Sequence, residues 1–250
     1  MPRRGIYLAP FDELADPRRV AALAARAEER GWDGFFVWDH IVYSAPVRGC
    51  ADPWVTLSAV ACATERLRLG PMVTPPSRRR MQKLTREAVT LDHLSGGRLV
   101  LGLGLGGPRH GELAPFGEVA DPPEQARLLD AGLERLTAFW EGEFEPRPVQ
   151  TPRIPIWLAA RWPRRRPIRR AARWDGVFPI DLPGPAAVAE LVAEVSGLRG
   201  PDAGPFDVVV TNPPGTDPAP WAAAGATWCL TGFDSTPSEA GVRGAIDAGP

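Results

Sequence analysis

The sequence predicts an α/β fold, a closed (β/α)8 barrel of the TIM type. Short apolar runs typical of buried strands alternate eight times with segments that carry helix start signals or apolar stripes. The chain has 250 residues, a length that a single barrel of this type commonly has. We therefore expect residues 1–250 to form one barrel domain rather than an open sheet.

Composition excludes several functional classes. The net charge is -1, so no overall positive field favours nucleic acid. Cys50, Cys62 and Cys229 form no C-x-x-C pair, which predicts neither a disulfide framework nor a metal site and favours a reducing compartment. No signal peptide or membrane-length apolar run is visible. We expect a cytoplasmic protein that binds neither membranes nor metal.

Local signals place the elements of the first half. Asp16, Asp52 and Asp121 each precede a proline, a pattern typical of a helix N-cap followed by the first helical residue. Helices are predicted over 17–30, 53–64, 79–94 and 122–140, and strands over 5–9, 34–38, 67–74 and 99–101.

The same alternation continues in the second half. Strands are predicted over 154–158, 176–180, 206–211 and 226–230, and helices over 164–173, 185–198 and 218–224, with a last helix capped by 236–239. The connection after strand seven is short, since Asn212 is followed directly by Pro213, Pro214 and Gly215. We expect a compact barrel without a long insertion there.

Barrel sites lie at the carboxyl ends of the strands. His40 follows Asp39 at the predicted end of strand two, where a histidine could exchange a proton near neutral pH. A purely structural role for His40 is the alternative. The other predicted strand ends offer Val73, Thr74, Ala159, Ala160, Arg161, Asp181, Thr211 and Asn212.

A glycine-rich segment, residues 102–107, follows strand four. A dinucleotide fingerprint requires a helix that opens directly on the glycines, whereas here Pro108 intervenes and the next predicted helix waits until Asp121. No Gly-Lys-Ser/Thr motif is present. Two interpretations stay open: the glycines permit close packing at the barrel mouth, or they leave room for a flat ligand.

Arginines follow strand five. Arg161 and Arg164 lie between a strand end and a helix start, a position suited to a phosphate group. The later arginines of that helix are expected to face solvent. Because the chain offers few acid–base groups, we expect a cofactor to carry the reaction.

Several blocks resemble the bacterial luciferase-like flavin-dependent monooxygenases. The specific ones are Arg-Leu-Arg-Leu-Gly-Pro-Met-Val-Thr-Pro (66–75) and Leu-Asp-His-Leu-Ser-Gly-Gly-Arg-Leu-Val-Leu-Gly-Leu-Gly (91–104). Supporting blocks occur in the expected order at 38–40, 52–54, 155–158, 170–176 and 225–228. The resemblance covers almost the whole chain.

The resemblance implies a TIM barrel that binds reduced FMN or, in some branches, the deazaflavin F420. It implies a non-proline cis peptide near Met72-Val73 and a histidine, here His40, near the reactive edge of the flavin. A family arginine position is occupied by Leu105, and Arg109 could replace it. The expected cofactor-binding residues are Asp39, Met72, Val73, Thr74, Gly104, Arg109, Ala160, Arg161 and Arg164.

The first expectation for function is a monooxygenase that acts on a small organic molecule with O2 and with reduced FMN from a separate reductase. F420-dependent hydride transfer is the alternative within the class, and a flavin-binding protein without turnover lies outside it. An unrelated barrel enzyme for a phosphorylated metabolite is disfavoured, because the only lysine, Lys83, lies in a helix. The family also implies a homodimer through the second and third helices.

Overall fold

Eight parallel strands form the centre of the molecule. This computed structural model describes residues 1–107, 110–200 and 203–250. The strands are β1 (Arg3–Leu8), β2 (Gly34–Val37), β3 (Arg68–Pro71), β4 (Leu101–Leu103), β5 (Ile156–Arg161), β6 (Gly176–Ile180), β7 (Asp207–Asn212) and β8 (Trp228–Gly232). Their order in the sheet is β3-β2-β1-β8-β7-β6-β5-β4.

The two outer strands of that order meet and close the barrel. The Val100 N–H donates to the Leu69 carbonyl at 2.8 Å, and the Thr74 N–H donates to the Gly102 carbonyl at 2.9 Å. A Cβ on Gly102 would lie 2.2 Å from the Pro71 carbonyl oxygen, so only glycine fits this contact. The predicted barrel is confirmed, and Gly102 is explained by packing between β3 and β4.

Within the described residues, eight helices follow the strands in alternation, as predicted. They are α1 (Pro17–Glu29), α2 (Pro53–Ala63), α3 (Met81–Leu94), α4 (Pro122–Ala138), α5 (Arg165–Ala171), α6 (Pro185–Arg199), α7 (Ala219–Ala223) and α8 (Glu239–Asp247). The side chains of Asp16, Asp52 and Asp121 accept backbone N–H groups in the first turns of α1, α2 and α4, which confirms these caps. Only residues 213–218 separate β7 from α7, so the long insertion is indeed lacking.

Three strands begin two residues later than the apolar pattern predicts: β4, β5 and β8. Leu99 and Ile154 are buried, but the ladder between β4 and β5 starts only at Leu101 opposite Ile156. The chain is therefore buried two residues before it begins to pair with the neighbouring strand. The start of an apolar run does not mark the start of a strand. The shift makes Arg161 the last residue of β5 rather than part of the following loop.

Two apolar layers surround the sheet. Eight buried side chains fill the barrel interior: Phe36, Met72, Val100, Trp157, Phe178, Val209, Trp228 and Leu230. A larger layer packs the outer face of the strands against the helices and includes the predicted α1 stripe of Val20, Leu23, Ala24 and Ala27. Across the described residues, none of the helices is both long and apolar enough to cross a lipid bilayer.

The block at 91–98 joins elements at the base, the amino-terminal end of the barrel. The Arg98 guanidinium donates to the backbone carbonyls of Ala61, Thr64 and Leu67. The buried Asp92 carboxylate accepts N–H groups from Val149 and Gln150. This block therefore holds the loop after α2 and the segment before β5 against the end of α3.

Candidate functional site

A buried ionic network lies at the mouth, the carboxyl end of the barrel. Asp39 follows β2, and its side chain is fully buried. The Thr74 hydroxyl donates to one Asp39 oxygen at 2.5 Å. The Arg78 and Arg79 guanidinium groups donate to the same carboxylate at 3.0 and 3.1 Å. Asp39 therefore ties the end of β2 to the loop after β3.

A second carboxylate joins this network from the loop after β4. Glu112 is 1% exposed, and its Oε1 lies 3.1 Å from Nδ1 of His40. Its Oε2 accepts the Ile41 N–H and forms an ion pair with Arg78 at 3.4 Å, without hydrogen-bond geometry. We call Asp39, Arg78, Arg79 and Glu112 the mouth network.

The charge of Glu112 determines which nitrogen of His40 carries a proton. Burial acts to raise the pKa of Glu112, but the hydrogen bond and charge of His40, the charge of Arg78 and the Ile41 N–H outweigh it, so the pKa lies below its usual value. An ionised carboxylate only accepts hydrogen bonds, so Nδ1 of His40 is the donor. In the described part of the chain Nε2 has no hydrogen-bond partner, and it is the atom available for proton exchange.

Aromatic rings extend from His40 across the mouth. The ring centroid of Trp38 lies 5.9 Å from that of His40 and 5.8 Å from that of Tyr7. Tyr43 stacks on His110 at 3.8 Å. The Tyr7 hydroxyl donates to the Met72 carbonyl at 2.9 Å, and burial, followed by the nearby Tyr43, raises the pKa of Tyr7 above its usual value. Tyr7 therefore stays a protonated donor that joins β1 to the end of β3.

The peptide bond between Met72 and Val73 is cis, as the resemblance implies. Beyond it, three small residues from neighbouring strand ends lie close together. A Cβ on Gly104 would lie 2.6 Å from Cγ2 of Val73 and 3.1 Å from Cβ of Ala159. We call Val73, Gly104 and Ala159 the strand-end floor. It is apolar and low, which fits the flat ring system that FMN and F420 share.

The remaining expected cofactor residues do not cluster with the strand-end floor. Ala160 is buried in the outer layer against the helices, on the opposite face of β5 from Ala159, so its side chain does not join the floor. Arg161 forms an ion pair with Asp181. Arg164 is exposed and precedes α5, which has only seven residues. Arg109 lies outside the described residues.

An open cavity of ≈ 600 Å³ occupies the other half of the mouth. Its walls come from the ends of β1, β2, β7 and β8 and include Tyr7, Trp38 and Asn212. We call it the mouth cavity. Tyr7 also packs against the barrel interior with Val73 and Ala159, so it lies between this cavity and the strand-end floor.

Sequence reasoning found Asp39, His40, Val73 and Thr74, which the structure brings together, but it missed Arg78 and Glu112. Arg78 follows a Pro-Pro-Ser turn beside two further arginines, and Glu112 lies in an irregular loop. Neither position carries a periodic or motif signal. Lys83 is exposed on α3 and pairs with Glu87, as expected for a surface residue. Among the described residues no cluster of three histidine, cysteine or carboxylate side chains is arranged for a metal ion.

Known proteins are similar to this chain in sequence. An uncharacterized protein of Mycobacterium tuberculosis is 30% identical over 266 residues, covering 92% of this chain and 91% of that protein. An F420-dependent glucose-6-phosphate dehydrogenase of Beutenbergia cavernae is 34% identical over 142 residues, covering 55% of this chain and 41% of that protein.

Solved structures of other proteins have a similar fold. An F420-dependent secondary alcohol dehydrogenase in complex with an F420-acetone adduct has a TM-score of 0.79 at 15% identity and covers 98% of this chain and 97% of its own. The oxygenating constituent of 3,6-diketocamphane monooxygenase from Pseudomonas putida, in complex with FMN, has a TM-score of 0.70 at 16% identity and covers 85% of this chain and 67% of its own.

The match to a family model spans residues 4–227, from within β1 to the residue before β8, and so includes the mouth network, the strand-end floor and the block at 91–98. This chain belongs to the luciferase-like monooxygenase family.

Proposed function

We propose that this chain is an F420-dependent oxidoreductase that moves a hydride to or from a small alcohol or carbonyl substrate at the mouth. The pairing of His40 with the buried, ionised Glu112 carries the proposal. Oxidation of an alcohol removes a hydride from carbon and a proton from oxygen, and this pair offers a place for the proton.

His40 acts as the proton acceptor in the oxidation direction. Glu112 holds the proton on Nδ1, so the lone pair of a neutral ring resides on Nε2 and can accept the substrate's hydroxyl proton. The imidazolium that results lies against the Glu112 carboxylate, which stabilises it. In the reduction direction the same nitrogen donates the proton to the carbonyl oxygen.

The cofactor would lie on the strand-end floor. Val73, Gly104 and Ala159 leave an apolar surface without long side chains, and Tyr7 and the mouth cavity border it. When bound, F420 supplies or accepts the hydride. Arg161 and Arg164 are the proposed partners of its phosphate group, and Arg161 would then exchange part of its contact with Asp181 for that phosphate.

Two observations favour F420 over FMN. A relative and a structural neighbour that cover much of this chain are named for F420-dependent dehydrogenation. The mouth is open, and only residues 213–218 connect β7 to α7. Oxygenation by a reduced flavin benefits from a closed site that keeps out water, whereas hydride transfer tolerates an open one.

Absorbance titration with oxidised F420 and oxidised FMN, each added to the purified protein, tests this proposal. We expect saturable binding of F420 at lower concentration than FMN, and bleaching of bound F420 when a secondary alcohol is added. Tight binding of FMN alone, with consumption of O2 by reduced FMN in the presence of substrate, contradicts it.

The second candidate is the FMN-dependent monooxygenase supplied by a separate flavin reductase. The family match over residues 4–227 favours it. A flavin-binding protein without turnover is distinguished from both by His40→Ala, which would then change no reaction.

We also propose a homodimer through α2 and α3, since α2 leaves Val55 62% exposed.

A further inference from the structure

An open cavity also lies at the base of the barrel, and we call it the base cavity. It measures ≈ 770 Å³, and prolines and alanines supply its apolar walls. Five charged side chains line it: Arg3, Arg68, Arg153, Asp175 and Asp207. None of the described lining residues is histidine, cysteine or lysine. The cavity therefore offers groups that hold a charged ligand rather than groups that react with one near neutral pH.

Two of these side chains point from strand starts into the barrel. Arg3 and Asp207 are the first residues of β1 and β7. The Arg3 guanidinium carbon lies 5.5 Å from the centroid of the Trp228 ring, and Asp207 Oδ2 accepts the indole N–H of Trp157 at 3.2 Å. Both tryptophans fill the barrel interior. Arg3 and Asp207 therefore lie at the lower edge of that interior, where the base cavity begins.

Arg68, the first residue of β3, points the same way, because its neighbour Leu69 packs in the outer layer against the helices. Its Nη1 donates to the Gly97 carbonyl and to Gln150 Oε1, each at 3.0 Å. Nε and Nη2 form no hydrogen bond with the described residues and are not sealed from solvent. The base cavity, which Arg68 lines, is thus where these two donors can find a partner.

The positive charges of Arg3 and Arg68 act on each other. The pKa of Arg68 lies below its usual value, first because of burial and then because of the charge of Arg3, while the charges of Asp207 and Asp92 act in the other direction. Both carboxylates already accept N–H or O–H groups. Throughout the described ranges, neither arginine forms an ion pair. Partly buried cations are normally paired, so this pair of guanidinium groups lacks an anion.

The other charges of the cavity do not supply that anion. Arg153 and Asp175 form an ion pair and neutralise each other. Arg3, Arg68 and Asp207 remain, and together they carry one positive charge in excess. An anion with several oxygens accepts N–H groups from two guanidinium groups at once. A larger polyanion would be repelled by Asp207, so the cavity favours a small one.

We infer that the base cavity binds a small oxyanion, a phosphate or carboxylate group, between the guanidinium groups of Arg3 and Arg68. Inorganic phosphate and a small organic acid are the two sources of such a group. β1 and β3 are separated by β2 in the sheet, so the bound anion would link two strands that do not pair. Because the unfolded chain does not hold the two arginines together, binding stabilises the folded state.

Titration of the purified chain with inorganic phosphate and with acetate tests the inference, with sodium chloride of matched ionic strength as the reference. Calorimetry measures binding, and thermal unfolding measures stabilisation. We expect a Kd of about 1 mM or below for one of the two anions, and an unfolding midpoint that rises with its concentration. All titrations are made in an Arg161→Met background as well, because Arg161 is the residue proposed to hold the cofactor phosphate at the mouth.

Arg3→Met is the decisive variant, since the Arg3 side chain contacts only the Trp228 ring and its loss leaves no hydrogen bond broken. We expect it to weaken anion binding at least about tenfold, and Arg3→Lys to recover part of the loss. Arg68→Met should weaken binding equally, but it also removes the contacts with Gly97 and Gln150. Arg127→Met, which removes an exposed arginine of α4, is the control and is expected to bind as the wild type does.

Each outcome decides the inference. Saturable binding that Arg3→Met weakens and Arg127→Met does not would support it, and the anion that binds more tightly identifies the source. If phosphate and acetate act no differently from chloride, or if Arg3→Met and Arg127→Met bind equally well, the inference is wrong. The measurements need no cofactor, so they stand whether or not the F420 proposal does.

Discussion

The two ends of the barrel both hold charged residues and an open cavity, but the charged side chains differ in their burial and in their partners. The base cavity is the larger, at ≈ 770 Å³ against ≈ 600 Å³ at the mouth. At the base, Arg153 pairs with Asp175, and both side chains are partly exposed. At the mouth, the carboxylates of Asp39 and Glu112 are almost completely buried. The base also buries one carboxylate, that of Asp92, but its partners there are backbone N–H groups. At the mouth two buried carboxylates are paired with arginines and with a histidine, an arrangement more typical of a functional site, so the partners of the buried charges indicate the site better than cavity size does.

The contrast extends to sequence signals. The most recognisable block, 91–98, lies at the base, where Asp92 and Arg98 bind backbone groups. The mouth depends on single residues in loops, such as Glu112. We thus assign residues that hold the architecture to the base and residues proposed for the reaction to the mouth, and variants of each end test that division.

The largest expected effect is on catalysis at the mouth. His40→Ala removes the group that we propose exchanges the proton, and we expect kcat for the proposed F420-dependent alcohol oxidation to fall about 10²–10⁴-fold. The free energy of unfolding should fall by about 1–3 kcal/mol, because the buried Glu112 carboxylate loses its His40 partner, so kcat is compared for the folded fraction. Steady-state kinetics and urea unfolding measure the two quantities.

His93→Ala is the matched control for that variant. His93 lies in the last turn of α3, and its Nε2 contacts the Arg147 carbonyl rather than the mouth. We expect unchanged kcat. An equal loss of kcat in both variants would contradict the assignment of chemistry to the mouth.

A variant at the base should lose stability and keep its kcat. Arg98→Met removes the donor to several backbone carbonyls, and we expect the free energy of unfolding to fall by about 3–5 kcal/mol. The kcat of the folded fraction should be unchanged. Arg66→Met, at an exposed neighbouring position, is expected to stay within about 0.5 kcal/mol of the wild type by urea unfolding.

The buried carboxylate at the mouth predicts a pH effect on stability. Because the pKa of Glu112 is lower in the folded chain than its usual value, its ionisation stabilises the fold above the usual glutamate range, and this stabilisation is lost as the pH falls through the folded pKa. Glu112→Gln should therefore lower stability at neutral pH by about 1–3 kcal/mol and reduce the further loss on acidification.

Unfolding by urea at neutral pH and at about pH 3–4 measures this difference. Glu124→Gln is the control, since Glu124 is paired with Arg127 on the surface of α4. The same acid sensitivity in Glu112→Gln and the wild type would show that Glu112 is not the buried anion described here.

An effect on stability of similar size is expected at the strand-end floor. Gly104→Ala brings a Cβ to 2.6 Å from the Val73 side chain, so we expect about 1–3 kcal/mol of destabilisation and weaker F420 binding. Gly107→Ala meets no atom within 4 Å and should behave as the wild type. Thermal unfolding and F420 titration of the pair measure both effects, and identical behaviour of the two variants contradicts the floor.

Much of the fold could be predicted because its signals are local. Asp16 and Asp52 cap helices through their own first turns, and apolar runs mark the strands. The late start of β5 could not be predicted, since pairing with β4 rather than burial decides it. Gly102 is explained only when the closure of β3 on β4 is known.

The site residues also divide into those that local sequence predicts and those that only the fold brings together. His40 and Asp39 could be predicted because they follow a strand, and the barrel brings strand ends together. Glu112 and Arg78 approach them from loops whose paths no periodicity describes, across 72 residues in the case of His40 and Glu112.

The central claim, that the mouth and not the base is the site, is tested most directly by a crystal structure of the chain soaked with F420. We predict the ring on Val73, Gly104 and Ala159, with its reactive edge toward His40 and the mouth cavity left open beside it. Density for F420 in the base cavity, between Arg68 and Arg153, would contradict the account.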